Sequence, residues 1–248
     1  MPQSEPKQIF DAGTAEPDWK GFYKIGGTTA LIALAVVFAE IGIAFLPGTG
    51  LASPPHGTIT VLDWFALFQN NWFLGLRNLG LLNIVGAALL APTFLGLYAA
   101  LKRGDEAFSA FAAILFFVGI AVYLAGNRAF PMLSLSGQYV SAATDAQRSQ
   151  FIAAGQAILA EGQSRLGIVL IDSAGLLMSA VMLRGKAFSR ATAYAGILGN
   201  CLMIVVEVVV ALAHTVRGAG LVIAICGGLS IVSWYFLVGR SLLQLGRR

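Results

Sequence analysis

Ile25–Leu46 reads IGGTTALIALAVVFAEIGIAFL. It is long enough to cross the hydrocarbon core of a bilayer as a helix, and its single charge is Glu40. Pro47-Gly48 ends it. The 24 residues before it hold Glu5, Asp11, Glu16 and Asp18 beside Lys7, Lys20 and Lys24. That leader is too long and too acidic for a secretory signal, so the run reads as a retained span. Trp19, Phe22 and Tyr23, flanked by Lys20 and Lys24, read as an anchor at the membrane interface.

The same pattern repeats along the chain. Further spans are expected at about 73–101, 106–128, 165–183, 190–214 and 219–243. Pro92 marks a kink in the second, and Pro131 is expected to stop the third. The fold class is therefore all-α, a polytopic membrane bundle of about six helices between a tail at 1–24 and a short tail at 244–248. Composition agrees. The chain of 248 residues is 57% hydrophobic and 11% charged, with mean hydropathy +0.78. Soluble domains carry about 25% charged residues, so lipid is the solvent this surface suits.

Amphipathic pieces lie between the spans. Thr60 and Asp63 form a capping box that opens a short helix over Leu62–Gln69. Residues 129–164 are the longest polar stretch. Thr144 and Gln147 form a second box there, and Phe151, Ile152, Ile158 and Leu159 recur at helical spacing over 145–161.

Basic residues set the expected orientation. Of 16 Lys and Arg, eleven fall on one side: Lys7, Lys20, Lys24, Lys102, Arg103, Arg184, Lys186, Arg190, Arg240, Arg247 and Arg248. Arg77, Arg128, Arg148, Arg165 and Arg217 fall on the other. The positive-inside rule puts both termini in the cytoplasm. Scattered between apolar runs, these charges make no basic helix or patch, so nucleic acid is not an expected partner.

Several spans carry polar groups that hydrocarbon does not favour. Glu40, Asp172 and Glu207 lie six or seven residues from the outer ends of their spans. At about 1.5 Å per residue, all three fall roughly 9–11 Å below the outer boundary. Arg77, Arg128, Arg165 and Arg217 ring that side. Arg165 and Asp172 share a face, while Asn200, Glu207 and His214 form a stripe along span five. Asn78, Asn83 and Asn127 add amides. Carboxylates inside spans are costly and mark functional sites. The expected site is an outward-facing polar pocket with Glu40, Asp172 and Glu207 as its floor. The opposing reading is a set of Arg–carboxylate pairs that hold the helices together, a role that returns only about 0.6–2 kcal/mol per contact.

Other chemistry finds little support. Cys201 and Cys226 lie in apolar runs at different depths and read as small fillers. His56 sits in a Pro/Gly loop, where solvent exposure is expected. Two histidines do not suit a bis-histidine haem. A metal site on Glu40, Asp172, Glu207 and His214 lacks a supporting Glu-x-x-His spacing. There is no mid-span lysine for a Schiff base, no Walker loop and no nucleophile elbow. Leu46–Gly50 spells a sortase-like signal, but it does not precede a C-terminal apolar tail. Trp234 and Tyr235 read as packing or lipid-facing aromatics, and no internal repeat is evident.

Three segments carry a family resemblance. Asn127-Arg128-Ala129-Phe130-Pro131 is followed by Tyr139–Arg148 (YVSAATDAQR) and Phe151–Ala157 (FIAAGQA). Together with the layout they resemble a bacterial family of six-span membrane proteins, the domain of unknown function 4386 type. The resemblance implies a six-span fold in a bacterial cytoplasmic (inner) membrane and brings no activity. Bottom-up, the leading expectation is a protein that binds a small ligand, lipid or partner in the outer pocket. A proton- or ion-coupled transporter, an enzyme acting on a lipid or isoprenoid head group, and an accessory subunit of a membrane complex remain alternatives. The inner halves of the spans are nearly free of charge, which weighs against transport. No cofactor is assigned.

Overall fold

A computed structural model of the chain describes residues 19–44, 46, 59–161, 165–213 and 219–247. Among these residues there is no strand. The helices are α1 (Lys20–Ala44), α2 (Val61–Asn70), α3 (Trp72–Asn78), α4 (Leu81–Leu101) and α5 (Glu106–Ala125), followed by α6 (Ala129–Ser141), α7 (Asp145–Glu161), α8 (Arg165–Arg184), α9 (Arg190–Ala213) and α10 (Ala219–Arg247). Six stretches, centred on α1, α4, α5, α8, α9 and α10, are long and apolar enough to cross a bilayer. The protein is an all-α, multi-pass membrane bundle.

Those six helices form a ring. α1 packs against α4 and α10, α10 against α9, α9 against α8, α8 against α5, and α5 closes on α4. Hydrocarbon supplies no hydrophobic drive between helices, so close fit at small residues has to hold them. A Cβ on Gly26 would lie 2.7 Å from the Pro92 carbonyl oxygen, and one on Gly27 would lie 2.7 Å from that of Gly239. α1 is thus wedged backbone to backbone between α4 and α10. The Thr93 hydroxyl donates to the Gly26 carbonyl at 2.9 Å, which ties the first contact. Gly119 and Gly167 allow a similar approach of α5 and α8: a Cβ on Gly167 would lie 2.7 Å from the Tyr123 nitrogen.

Aromatic side chains fill the middle of the ring. Phe94 stacks on Phe116 with centroids 3.8 Å apart, and Trp234 meets Phe94 edge-on at 6.3 Å. All three are fully buried. Large apolar side chains such as Phe111, Ile114, Leu221 and Leu229 point outward, as a lipid-facing surface requires.

α2, α3, α6 and α7 cover one end of the bundle, called here the capped end. Their own core is Val61, Phe65, Phe68, Leu76, Ala129 and Met132, with Ile152, Ile158 and Leu159 of α7 packed on it. Both expected capping boxes are present. Asp63 N–H donates to Thr60 Oγ1 while Thr60 N–H donates to Asp63 Oδ2 at 2.7 Å. Gln147 N–H donates to Thr144 Oγ1, and Thr144 N–H to Gln147 Oε1. Gln69 Nε2 donates to the buried Ser136 hydroxyl at 2.9 Å and locks α2 to α6.

The opposite, basic end carries the turns at 102–105 and 185–189. There Arg184 pairs with Asp105 at 2.7 Å, and Lys102 sits 4.8 Å over the Trp19 ring. The expected anchor divides. Trp19 and Phe22 remain at this end, but Tyr23 is buried and its hydroxyl donates to the Ala99 carbonyl.

Two expectations need correction. The stretch 73–101 is not one helix: the chain breaks at Leu79-Gly80, where Gly80 adopts φ 99°, a left-handed conformation that side chains with a Cβ disfavour. Pro131 does not stop the third span. α5 ends at Ala125 with Gly126 as its C-cap, and Pro131 lies in the first turn of α6, where a missing N–H costs nothing. α1 starts at Lys20, before the expected Ile25, and ends at Ala44, and α10 runs on to Arg247. The Pro/Gly loop expected at 47–57 lies outside the described residues.

The wedge makes a prediction. Gly27→Leu must push α1 off α10, whereas a Cβ on Gly42 meets nothing within 4 Å. Gly27→Leu should cost at least about 1–3 kcal/mol of stability, and Gly42→Leu close to none. Thermal unfolding in detergent micelles measures both, and equal effects would contradict the wedge.

Candidate functional site

α1 and α4 touch closely at Gly26 and Thr93 and part toward the capped end. A cavity of about 200 Å³ lies between the parted limbs. Ala33, Leu34, Val36, Val37 and Glu40 line it from α1, and Leu82, Asn83, Gly86, Ala87 and Leu90 from α4. Tyr123 of α5, Ile171 of α8 and Tyr235 of α10 form its back wall. Small residues make this space: a Cβ on Gly86 would meet nothing within 4 Å. Pro92, just below, leaves the Ala88 carbonyl without its helical N–H donor and weakens α4 where the two limbs diverge.

The lining is mostly apolar; its polar side chains are Glu40 and Asn83 near the capped end and the phenols of Tyr123 and Tyr235 on the back wall. Glu40 lies on the last turns of α1 and Asn83 on the first turn of α4, so both stand at the cavity's rim. Arg77 of α3 is buried beside them. Its Nη2 donates to the Glu40 backbone carbonyl at 3.3 Å and its Nη1 to Asn78 Oδ1 at 2.8 Å. Among the described residues the Glu40 carboxylate makes no hydrogen bond, although the Arg77 charge is close enough to act on it.

The other expected site residues separate from this group. Arg165 Nη1 donates to Glu207 Oε2 at 3.2 Å, an ion pair linking α8 to α9. Asp172 lies one turn deeper on α8 than Gly167, is 9% exposed, and is within electrostatic reach of Glu207 and Tyr235. Its Oδ2 is enclosed with no hydrogen-bond partner among the described residues. The three carboxylates therefore do not make one floor: of them, only Glu40 lines the cavity. Asn200 is a packing residue. It lies against Gly175 of α8, and its Nδ2 donates to the Gly196 carbonyl at 2.6 Å. Asn127 and Arg128 serve the capped end. Asn127 Oδ1 accepts from Ala129 N–H at 3.0 Å, and Arg128 Nη1 donates to the Leu159 carbonyl. His214 and Arg217 lie outside the described residues, as does His56.

Sequence reasoning missed Tyr123 and left Tyr235 as packing or lipid-facing, yet both line the cavity. A tyrosine deep in a span is itself a signal, because its hydroxyl needs a partner. Trp234 does pack, filling the space beside Gly196. Among the described residues no three His, Cys, Asp or Glu side chains come together as a metal site. Compared with models of protein families, with curated proteins and with solved structures, the chain matches none.

The α8–α9 pair and Asp172 can be separated by mutation. A double-mutant cycle of Arg165→Ala and Glu207→Gln should give a coupling of about 0.6 kcal/mol, since Arg165 is half exposed. Asp172→Asn keeps the shape and removes a charge that hydrocarbon disfavours. It should leave the melting temperature unchanged or raise it. A marked loss in thermal unfolding would mean that the carboxylate holds a partner.

Proposed function

We propose that this protein binds a small apolar or amphiphilic molecule of lipid type in the cavity between α1 and α4. The observation that carries the reading is the cavity itself, mostly apolar, with a carboxylate and an amide at one rim and two phenols on its back wall. Small-molecule sites have this character, with a few placed polar groups in an apolar lining. In a bilayer the available apolar molecules are lipids, and Phe38, Ile41 and Val85 on the flanking helices already face them.

Transport is the weaker reading. Phe94, Phe116 and Trp234 fill the middle of the ring with packed aromatic side chains, and an alternating route would have to displace them. No observation favours a head-group enzyme or an accessory subunit. The bacterial inner membrane is the proposed location, and the family resemblance adds no activity to the proposal.

Gly86→Leu tests the binding reading, because Gly86 lines the cavity and a Cβ there meets nothing within 4 Å, so the added side chain takes up cavity space. Native mass spectrometry of the detergent-purified protein should show a lipid-sized adduct on the wild type and its loss in Gly86→Leu, with thermal stability retained. An undiminished adduct would overturn the reading.

Orientation is tested separately. The basic end should face the cytoplasm. A membrane-impermeant thiol reagent on cells lacking other reactive sites should label Gln150→Cys and spare Lys102→Cys, and the reverse pattern would invert the topology.

A further inference from the structure

The rim of the cavity narrows the class of ligand. A carboxylate accepts hydrogen bonds and cannot donate. The Glu40 carboxylate stands at the rim with no hydrogen bond among the described residues, while Arg77 donates to the Glu40 backbone carbonyl and to Asn78. Asn83, across the rim on α4, offers both an amide donor and an acceptor. Deeper positions, from Ala33 and Leu90 to Ile171, are mostly apolar, with the phenols of Tyr123 and Tyr235 on the back wall. The depth order therefore places an alkyl tail inward and a polar head at Glu40 and Asn83.

We propose that the occupant is an amphiphile whose head group carries a protonated amine with N–H donors, held by Glu40. This rests on the binding reading above and specifies its ligand. An ammonium supplies what Glu40 lacks, a charge-assisted donor, and such bonds are about twice as strong as neutral ones. A quaternary ammonium carries the charge but no N–H, and an anionic head group meets Glu40 with like charge.

The experiment uses the full chain in detergent, offered equal amounts of phosphatidylethanolamine, phosphatidylcholine and phosphatidylglycerol, and in a separate arm dodecylamine against dodecyltrimethylammonium. Native mass spectrometry counts the adducts. The wild type should retain the primary-amine member of at least one arm about tenfold over its competitors. Retention in the phospholipid arm identifies a membrane lipid as the source, and retention of dodecylamine alone identifies a single-chain amphiphile. Glu40→Gln should abolish the preference while leaving total binding, and Gly86→Leu should abolish binding of every member. No amine preference in either arm, or a preference that survives Glu40→Gln, overturns the head-group assignment. If Gly86→Leu still loses binding in that case, the cavity reading stands. If Gly86→Leu binds as the wild type does, the cavity reading itself fails. Melting curves of both variants, expected within a few degrees of wild type, show that loss of binding is not loss of fold.

Discussion

The architecture depends on how closely α1 can approach its neighbours. Helices in lipid gain nothing from hiding apolar surface, because the solvent is apolar too. They gain from contact, and contact is closest where a side chain is missing. Gly26 and Gly27 are adjacent, so on a helix they point to different sides, one to α4 and one to α10. That pair lets a single helix hold both ends of the ring at one level. Thr93 adds a directed bond to the same contact. Above that level the lining turns to Ala33, Gly86 and Ala87, too small to fill the gap as the helices part. The wedge and the cavity have one cause: small residues placed first where backbones meet and then where they separate.

Polar groups follow the same economy. Arg77 is buried but bonded to a carbonyl and an amide, Glu207 is paired with Arg165, and Asn200 satisfies its own helix. Each therefore has a structural explanation. Glu40 and Asp172 do not reduce to packing in this way. Glu40 faces the cavity between α1 and α4. Asp172 is enclosed beside Glu207 and Tyr235, and its uncompensated oxygen is a cost that the surrounding contacts carry.

Much of the fold is legible in the chain because bilayer thickness imposes a length and capping chemistry imposes a start. Thr60 with Asp63 and Thr144 with Gln147 mark α2 and α7 to within one residue. The break at Leu79-Gly80 is not legible, because an apolar run continues across it and a lone glycine there resembles any other span glycine. Pro131 misleads for a related reason: proline ends one helix or opens the next, and only the Gly126 cap before it decides. The site was half legible. Depth along each helix places Glu40, Asp172 and Glu207 at one level, but it carries no information about rotation or about which helices adjoin. The ring order puts α1 beside α4 and α10, away from α8 and α9, and so separates Glu40 from the Arg165–Glu207 pair.

A density map of the protein purified in its native lipid tests the central claim most directly. Elongated density between α1 and α4, starting at Glu40 and Asn83 and running inward past Gly86 toward Tyr235, is the predicted result. α1 and α4 closed on each other along their whole length, with no space at Gly86, would contradict it.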